Sequence, residues 1–133
     1  MNKNWIYFGI FLDSKSREKL IKLANNFIDD SWKIYCHHMT IAFNNNSEKV
    51  QNAYNEYMYK FGEPVEIYAT HIGMSNDAIA VMVDFKPCTL TNVPHITLAT
   101  PQGGKPVRSN YIENWKLLEK PIKLTGIFDE FTR

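Results

Sequence analysis

Two short segments of the chain repeat one pattern of residue types, and the pattern contains groups that could do chemistry. Residues 38–42 read His-Met-Thr-Ile-Ala, and residues 95–99 read His-Ile-Thr-Leu-Ala. Each segment has a histidine, a threonine two positions later and an alanine two positions after that. The chain has four histidines, so half of them lie in this repeat. One such segment is a common coincidence, but two copies indicate a shared functional site.

The polar groups of each segment lie on one face if the segment is a β-strand. Side chains alternate between the two faces of a strand, so His38 and Thr40 share a face, as do His95 and Thr97. The bulky apolar residues between them then lie on the opposite, buried face. Two such strands side by side would place two imidazoles and two hydroxyls around one cleft.

Such a cleft suits a phosphodiester. Cleavage needs a base for the attacking oxygen and an acid for the leaving oxygen, and imidazole, with an ordinary pKa of ~6.5, can be either near neutral pH. We therefore expect His38 and His95 to be an acid–base pair with a bell-shaped pH dependence. Thr40 and Thr97 would donate hydrogen bonds to the non-bridging oxygens. The pattern does not assign the first acid.

The other histidines and the cysteines are expected to have structural roles. His37 precedes His38, so strand alternation predicts that it points to the opposite face and forms no metal pair with it. His71 has no threonine two residues later. Cys36 and Cys88 do not form a CxxC pair and are expected to be small buried residues. No metal and no cofactor is predicted.

Composition bounds the size of the molecule and the kind of ligand. The chain has 133 residues, of which 44% are hydrophobic and 22% charged, and this predicts one domain over 1–133. A formal net charge of +1 argues against a binder of long nucleic acid. Lys105 and Arg108, beside a Gly-Gly loop, could steer a small anion or simply be solvated. With no signal peptide or membrane span in the sequence, a cytoplasmic protein is expected.

The order of elements predicts an α+β fold with helices packed on antiparallel sheet. Asp13 or Ser14 is expected to cap the first helix, and Ser47 the second. The apolar periodicities predict strands over 5–12, 35–43, 64–73, 78–85, 92–100 and 121–131, and helices over 15–29, 47–60 and 109–117.

Paired His-x-Thr motifs on strands of a small α+β domain resemble the two-histidine (2H) phosphoesterase superfamily. The resemblance extends over the chain in element order, although only the two motifs are specific. It implies a bilobal, pseudo-symmetric fold in which antiparallel sheets flanked by helices enclose a central cleft. It also implies metal-independent catalysis by His38 and His95, with phosphate binding by Thr40 and Thr97.

Within that superfamily, the chain is most similar to phage anti-CBASS phosphodiesterases, which destroy cyclic oligonucleotide immune signals. The similar segments are residues 7–13, 94–99 and 126–130. The resemblance implies that Tyr7 stacks on a base, that Glu130 reads a base edge, and that the protein acts in the host cytoplasm.

Three functions remain open from the sequence. The first is cleavage of 3′–5′ bonds in cyclic di- or trinucleotides. The second is a 2′,3′-cyclic phosphodiesterase or 2′-5′ oligoadenylate phosphodiesterase of RNA metabolism. The third is a non-catalytic nucleotide- or RNA-binding module, against which the two complete motifs argue. Trp32, Tyr35 and Trp115 could also stack on bases, although core packing is the commoner role.

Overall fold

Seven strands and four helical segments make up the computed structural model, which describes residues 4–85 and 93–132. The strands are β1 (Trp5–Leu12), β2 (Lys33–Ile34), β3 (His38–Phe43), β4 (Pro64–Met74), β5 (Ile79–Asp84), β6 (His95–Thr100) and β7 (Trp115–Thr132). The helices are α1 (Ser14–Ala24), α2 (Glu48–Tyr57) and the 3₁₀ helices Met58–Lys60 and Pro106–Tyr111. Cys88, predicted to be buried, and Asn92, predicted to begin a strand, lie outside the described residues.

The strands form one antiparallel sheet that closes on itself. Its order is β2-β6-β3-β1-β7-β4-β5, and β5 also pairs with β6, so six strands form a ring. β3 and β6 are neighbours in the ring, with β1 on the far side of β3 and β5 on the far side of β6. The predicted α+β class with antiparallel strands is confirmed.

The first helix begins where the sequence predicts. The Asp13 carboxylate accepts a hydrogen bond from the Ser16 backbone N–H at 2.8 Å, as an N-cap should. Leu20 and Ala24 are fully buried against the sheet. α1 ends at Ala24, earlier than the predicted boundary at residue 29.

The second helix is also capped as predicted. Ser47 accepts a hydrogen bond from the backbone N–H of Val50 at 3.3 Å, and Val50, Tyr54 and Tyr57 form its buried stripe. Its last turn tightens into the 3₁₀ helix Met58–Lys60. Gly62, with φ of 92°, then reverses the chain into β4.

The predicted helix over 109–117 is wrong. Residues 106–111 form a 3₁₀ helix, and β7 already begins at Trp115. Trp115 pairs with Gly73 and Leu117 with His71, so this segment extends the antiparallel pairing of β7 with β4. Leucine, lysine and glutamate favour a helix intrinsically, but pairing with a long neighbouring strand overrides that weak preference.

The strand that carries the first motif is shorter than predicted. β3 begins at His38, whereas the sequence predicts a strand from residue 35. Cys36 has a φ of 55°, in the left-handed region, so the alternation of side chains is broken just before the motif. The N–H groups of Tyr35 and Cys36 still bind the carbonyls of Leu98 and Thr97.

The apolar residues inside the two motifs are buried as predicted, whereas Phe43 at the end of β3 is 48% exposed. Met39, Ile41, Ile96 and Leu98 are at most 1% exposed and belong to one large apolar cluster. α1 contacts β6 and β7, and α2 contacts β3. Among the helices of the described residues, none is both long enough and apolar enough to span a membrane.

Candidate active site

The two motifs lie side by side and line one cavity. Met39, which follows the first histidine, pairs with Ile96, which follows the second. The cavity has a volume of about 70 Å³. Among the described residues, its lining consists of both motif histidines, both motif threonines and six further residues, namely Tyr35, His37, Phe43, Pro106, Val107 and Asn110. The expected convergence of His38, Thr40, His95 and Thr97 is therefore present.

The imidazole of His95 is held in one orientation by the backbone. Its Nδ1 lies 2.6 Å from the carbonyl oxygen of Val93. A carbonyl can only accept, so Nδ1 carries the proton and Nε2 of the neutral ring has a free lone pair. Burial lowers the pKa of His95, and the hydrogen bond to Val93 opposes part of that effect.

The imidazole of His38 is enclosed by aromatic rings. Tyr7 stacks on it with centroids 4.7 Å apart, and Phe11 follows at 5.6 Å. Burial first, and then positive charge on His37 and His95, lower the pKa of His38 to about 4. His38 and His95 line the same cavity, so a proton on one disfavours a proton on the other. Both are therefore neutral at pH 7 in the unliganded protein.

His37 does not point away from His38, and the prediction that it does is wrong. Its Nδ1 lies 2.6 Å from Nδ1 of His38, and its ring lines the same cavity. Strand alternation does not apply to it, because it precedes β3 and follows the left-handed Cys36. Burial and the charge of Arg17 lower the pKa of His37. The cavity thus contains three imidazoles.

The two motif threonines differ in their hydrogen bonding. Thr97 Oγ1 lies 2.8 Å from the Ser109 hydroxyl and 3.3 Å from the Pro106 carbonyl oxygen. Ser109 is only 2% exposed, so Thr97 is tied to the 3₁₀ helix Pro106–Tyr111. Within the described part of the chain, Thr40 makes no side-chain hydrogen bond, and it is one of the cavity-lining residues. Sequence reasoning missed Ser109, because nothing in its type or spacing marks it.

Tyr7 lies beside the cavity and is part of an aromatic surface. Its ring stacks on Phe131 at 5.2 Å and contacts Phe43 at 5.6 Å. Phe43 and Phe131 are each 48% exposed, and Phe43 also lines the cavity. We call Tyr7, Phe43 and Phe131 the aromatic shelf. Of its members, the sequence indicated only Tyr7, through the family resemblance.

Glu130 is not brought to the cavity. It pairs across the sheet with Phe8, which is fully buried, and its carboxylate accepts a hydrogen bond from the Tyr54 hydroxyl at 2.8 Å. Paired residues project to the same face, so Glu130 lies on the core side of the sheet, opposite to the aromatic shelf. The expected contact of Glu130 with a base edge is not supported by this placement.

The basic residues near the Gly-Gly loop also lie away from the cavity lining. Lys105 is exposed and does not contribute to the lining. Arg108 forms an ion pair with Asp77 at 2.8 Å and lies over the Tyr111 ring. The described residues that line the cavity include no lysine and no arginine.

The remaining aromatic and sulfur-containing candidates are mainly structural. Trp32 packs against the large apolar cluster, and Trp115 packs on Gly73 and Ile112. Cys36 is fully buried, and burial raises the pKa of its thiol to about 12. Tyr35 alone among these lines the cavity. In residues 4–85 and 93–132, no group of three or more His, Cys, Asp or Glu side chains could hold a metal ion.

Lowering the pH from 7 to 5 is expected to destabilise the protein through His38. Its pKa is 6.5 in an unfolded chain and about 4 in the folded protein. As the pH falls, His38 therefore binds a proton in the unfolded chain before it does so in the folded protein. Its contribution to the free energy of unfolding is complete above pH 6.5 and is lost progressively below that pH. The expected loss between pH 7 and pH 5 is about 2 kcal/mol. Urea denaturation at both pH values measures it.

The variant His38→Gln should lose less stability over this range than the wild type. His71→Gln is the matched control, because His71 lies on β4, outside the cavity, and binds Thr70. It should retain the wild-type pH dependence. Equal pH dependence of His38→Gln and the wild type would show that His38 is not desolvated as described.

The chain matches no model of a known protein family, and no curated protein matches it at a significant level. The function must therefore be inferred from the side chains of the cavity.

Proposed function

We propose that the protein is a phosphodiesterase that cleaves RNA-type phosphate esters by acid–base catalysis between His38 and His95, without a metal ion. One observation carries the proposal. Both imidazoles line one cavity, and each has its Nδ1 occupied by a protein group, so Nε2 is the nitrogen left for a ligand. A structural histidine needs neither a shared cavity nor a free ring nitrogen.

The reaction removes a proton from the attacking oxygen on one side of the phosphorus and delivers a proton to the leaving oxygen on the other side. One imidazole takes the proton of the ribose 2′-OH, the 2′ oxygen bonds to phosphorus, and the bond from phosphorus to the 5′ oxygen breaks. The other imidazole protonates that leaving oxygen. The products are a 2′,3′-cyclic phosphate and a 5′-hydroxyl. Water opens the cyclic phosphate by the same transfers in reverse.

The anionic substrate supplies the charge that the unliganded site lacks. Both imidazoles are neutral at pH 7 in the free protein, because burial lowers the pKa of each. A phosphodiester between them favours the protonated form of either imidazole, since opposite charges attract strongly at a desolvated site. Binding therefore raises the pKa of the acid into the working range.

Thr40 is the threonine whose hydroxyl can donate a hydrogen bond to the phosphate, because it makes no other side-chain hydrogen bond within the described residues. Thr97 can contribute as well if the Ser109 hydroxyl donates to it and a non-bridging oxygen replaces the Pro106 carbonyl as the acceptor of the Thr97 proton. Ser109 would thus position Thr97. Two hydroxyl donors at this place stabilise the charge that develops on phosphorus oxygens.

The surroundings of the cavity favour a small nucleotide ligand. Its volume of about 70 Å³ is far below the ~300–1,000 Å³ of pockets that enclose a drug-sized molecule. The phosphate therefore fits inside, and the nucleosides lie outside it. The aromatic shelf beside His38 offers faces for a base, and stacking of this kind is common in nucleotide recognition. The absence of lysine and arginine from the described lining disfavours long RNA.

We propose cyclic di- or trinucleotides as the substrates, in line with the resemblance to anti-CBASS enzymes. The resemblance also implies a pseudo-symmetry that exchanges the two motif strands, and we propose the following correspondence between the strands of the ring. Starting from the β3–β6 pair, β1 corresponds to β5, and β7 corresponds to β4. The pairing of Met39 with Ile96 relates the two motifs in the same way.

A substrate panel tests this proposal. The protein, with EDTA, is incubated with 3′,3′-cyclic dinucleotides, a cyclic trinucleotide, 2′-5′ oligoadenylate and an RNA ending in a 2′,3′-cyclic phosphate. We expect the protein to cleave the cyclic oligonucleotides, and chromatography of the products measures the cleavage. Cleavage of only the linear members would move the function to RNA metabolism. Binding of any member without cleavage would indicate a non-catalytic module and would overturn the proposal.

A further inference from the structure

His37 and His38 are arranged to share one proton. Their Nδ1 atoms are 2.6 Å apart, which is shorter than two unprotonated nitrogens tolerate and is the length of a short hydrogen bond. The ring planes differ by only 15° and the centroids are 4.7 Å apart, as for rings that lie side by side with these nitrogens facing. One Nδ1 must carry a proton and the other must accept it.

This arrangement determines which nitrogen protons are available to a ligand. With a single positive charge, the pair has three N–H groups, namely the shared one and both Nε2–H groups. His38 then presents an N–H to the cavity. His95 is the opposite case, because Val93 holds its proton on Nδ1 and its neutral ring presents a lone pair on Nε2.

We propose that His37 is a positioning residue that shares a proton with His38 and thereby makes His38 the general acid and His95 the general base of the first step. This inference rests on the proposed function for its catalytic meaning. In that step, Nε2 of His95 takes the proton of the 2′-OH and Nε2 of His38 releases its proton to the leaving oxygen. The His37–His38 pair becomes neutral and His95 becomes cationic, so the charge balances. The second step reverses both transfers.

The charged groups around the pair favour this assignment. His37 faces Arg17 of α1, whose guanidinium donates to the Tyr35 carbonyl at 3.2 Å, and this positive charge disfavours a proton on His37. Burial opposes a proton on His38 as well, so it is the bound phosphate, together with the Arg17 charge beside His37, that draws the shared charge towards His38. His38 faces Tyr7 of β1 and His95 of β6, and neither supplies a negative charge near neutral pH.

His37 has two opposite effects on His38, and they can be separated. A second proton, on His37, would lower the pKa of His38 by repulsion. The first proton meets a neutral His37, whose lone pair stabilises the imidazolium and raises that pKa. The proposal requires the second effect to dominate when the pair binds a single proton.

A measurement without substrate tests the shared proton. In the ¹⁵N-labelled full-length protein, we expect a scalar coupling between Nδ1 of His37 and Nδ1 of His38 across the hydrogen bond. The two rings should also titrate together, whereas His95 should keep the Nδ1–H tautomer. Independent titration of His37 and His38, with no coupling, would overturn the inference whatever the protein cleaves.

A pH profile of kcat tests the catalytic consequence on whichever ester of the substrate panel is cleaved. In His37→Phe, we expect the alkaline limb to move down by about one pH unit, because the acid loses a charge-assisted hydrogen bond. His37→Asn keeps a carbonyl that can accept from His38, so it should stay within a few tenths of a unit of the wild type. His71→Gln is the control outside the cavity and should match the wild type.

The outcomes separate the inference from the proposed function. An alkaline limb that moves up in His37→Phe would show that repulsion dominates and would refute the inference, as would a uniform loss of rate at every pH. If no panel ester is cleaved, the proposed function fails, and the coupling measurement still decides whether the proton is shared.

Discussion

The variants His38→Ala and His95→Ala are each expected to reduce kcat by about 10²–10⁴-fold, the contribution of one positioned acid or base. In the proposed reaction, each removes the imidazole that transfers the proton on one side of the phosphorus. The double variant should be little slower than either single variant. The two proton transfers act together, so once the acid is lost the remaining base accelerates the reaction little. Turnover of the best panel substrate, measured with EDTA present, gives both comparisons.

His71→Ala is the matched control for these variants. His71 is also a partly buried histidine on a strand, but it lies on β4, bonds to Thr70 and does not line the cavity. Its replacement should leave kcat within about twofold of the wild type, the scatter of surface substitutions. A single motif variant that keeps more than a tenth of the activity would exclude the two-histidine mechanism. Circular dichroism is the control that tests whether each variant is folded.

Gly9→Ala is expected to destabilise the protein strongly. Gly9 lies on β1 at an irregularity in its pairing with β3, and a Cβ there would overlap the carbonyl oxygen of Met39. The obstacle is backbone, which cannot rotate away as a side chain can, so the two strands must separate. We expect a loss of about 3 kcal/mol in the free energy of unfolding, the upper range for overpacking. Urea denaturation measures the loss.

The same substitution should also disturb the site. Met39 is the residue between the histidine and the threonine of the first motif, and it pairs with the second motif through Ile96. Displacing it moves His38 relative to His95, so kcat should fall even where the variant is folded.

Gly103→Ala separates the steric effect from loss of glycine itself. Gly103 has a φ of 82° and open space around its Cβ, so alanine there meets only backbone strain of about 1 kcal/mol. Comparable losses in Gly9→Ala and Gly103→Ala would contradict the close approach of β1 to β3.

Local sequence determined most of the elements and the chemical content of the site. The alternation in residues 38–41 and 95–98 predicted which side chains are buried and which line the cavity, because alternation is a property of any regular strand. Asp13 and Ser47 predicted both helix starts, since a cap depends only on its own turn.

Sequence reasoning failed where distant segments decide the backbone. Residues 115–117 have helix-favouring side chains but join β7, because β4 offers a partner for their backbone groups. His37 was assigned to the wrong face, because the left-handed backbone of Cys36 breaks the alternation that the assignment assumed.

The sequence alone therefore determined the two imidazoles and two hydroxyls that the matching strands contribute to the cavity, but not the third imidazole, that of His37. The tertiary structure decided which partners hold those groups. Val93 is hydrogen-bonded to His95, His37 to His38, and Ser109 to Thr97. It also placed Glu130 on the opposite face of the sheet. Alternation and capping act within a few residues, so they can be read from the chain. The partners of a ring nitrogen or a hydroxyl come from wherever sheet closure brings other segments, and closure depends on the packing of the whole core.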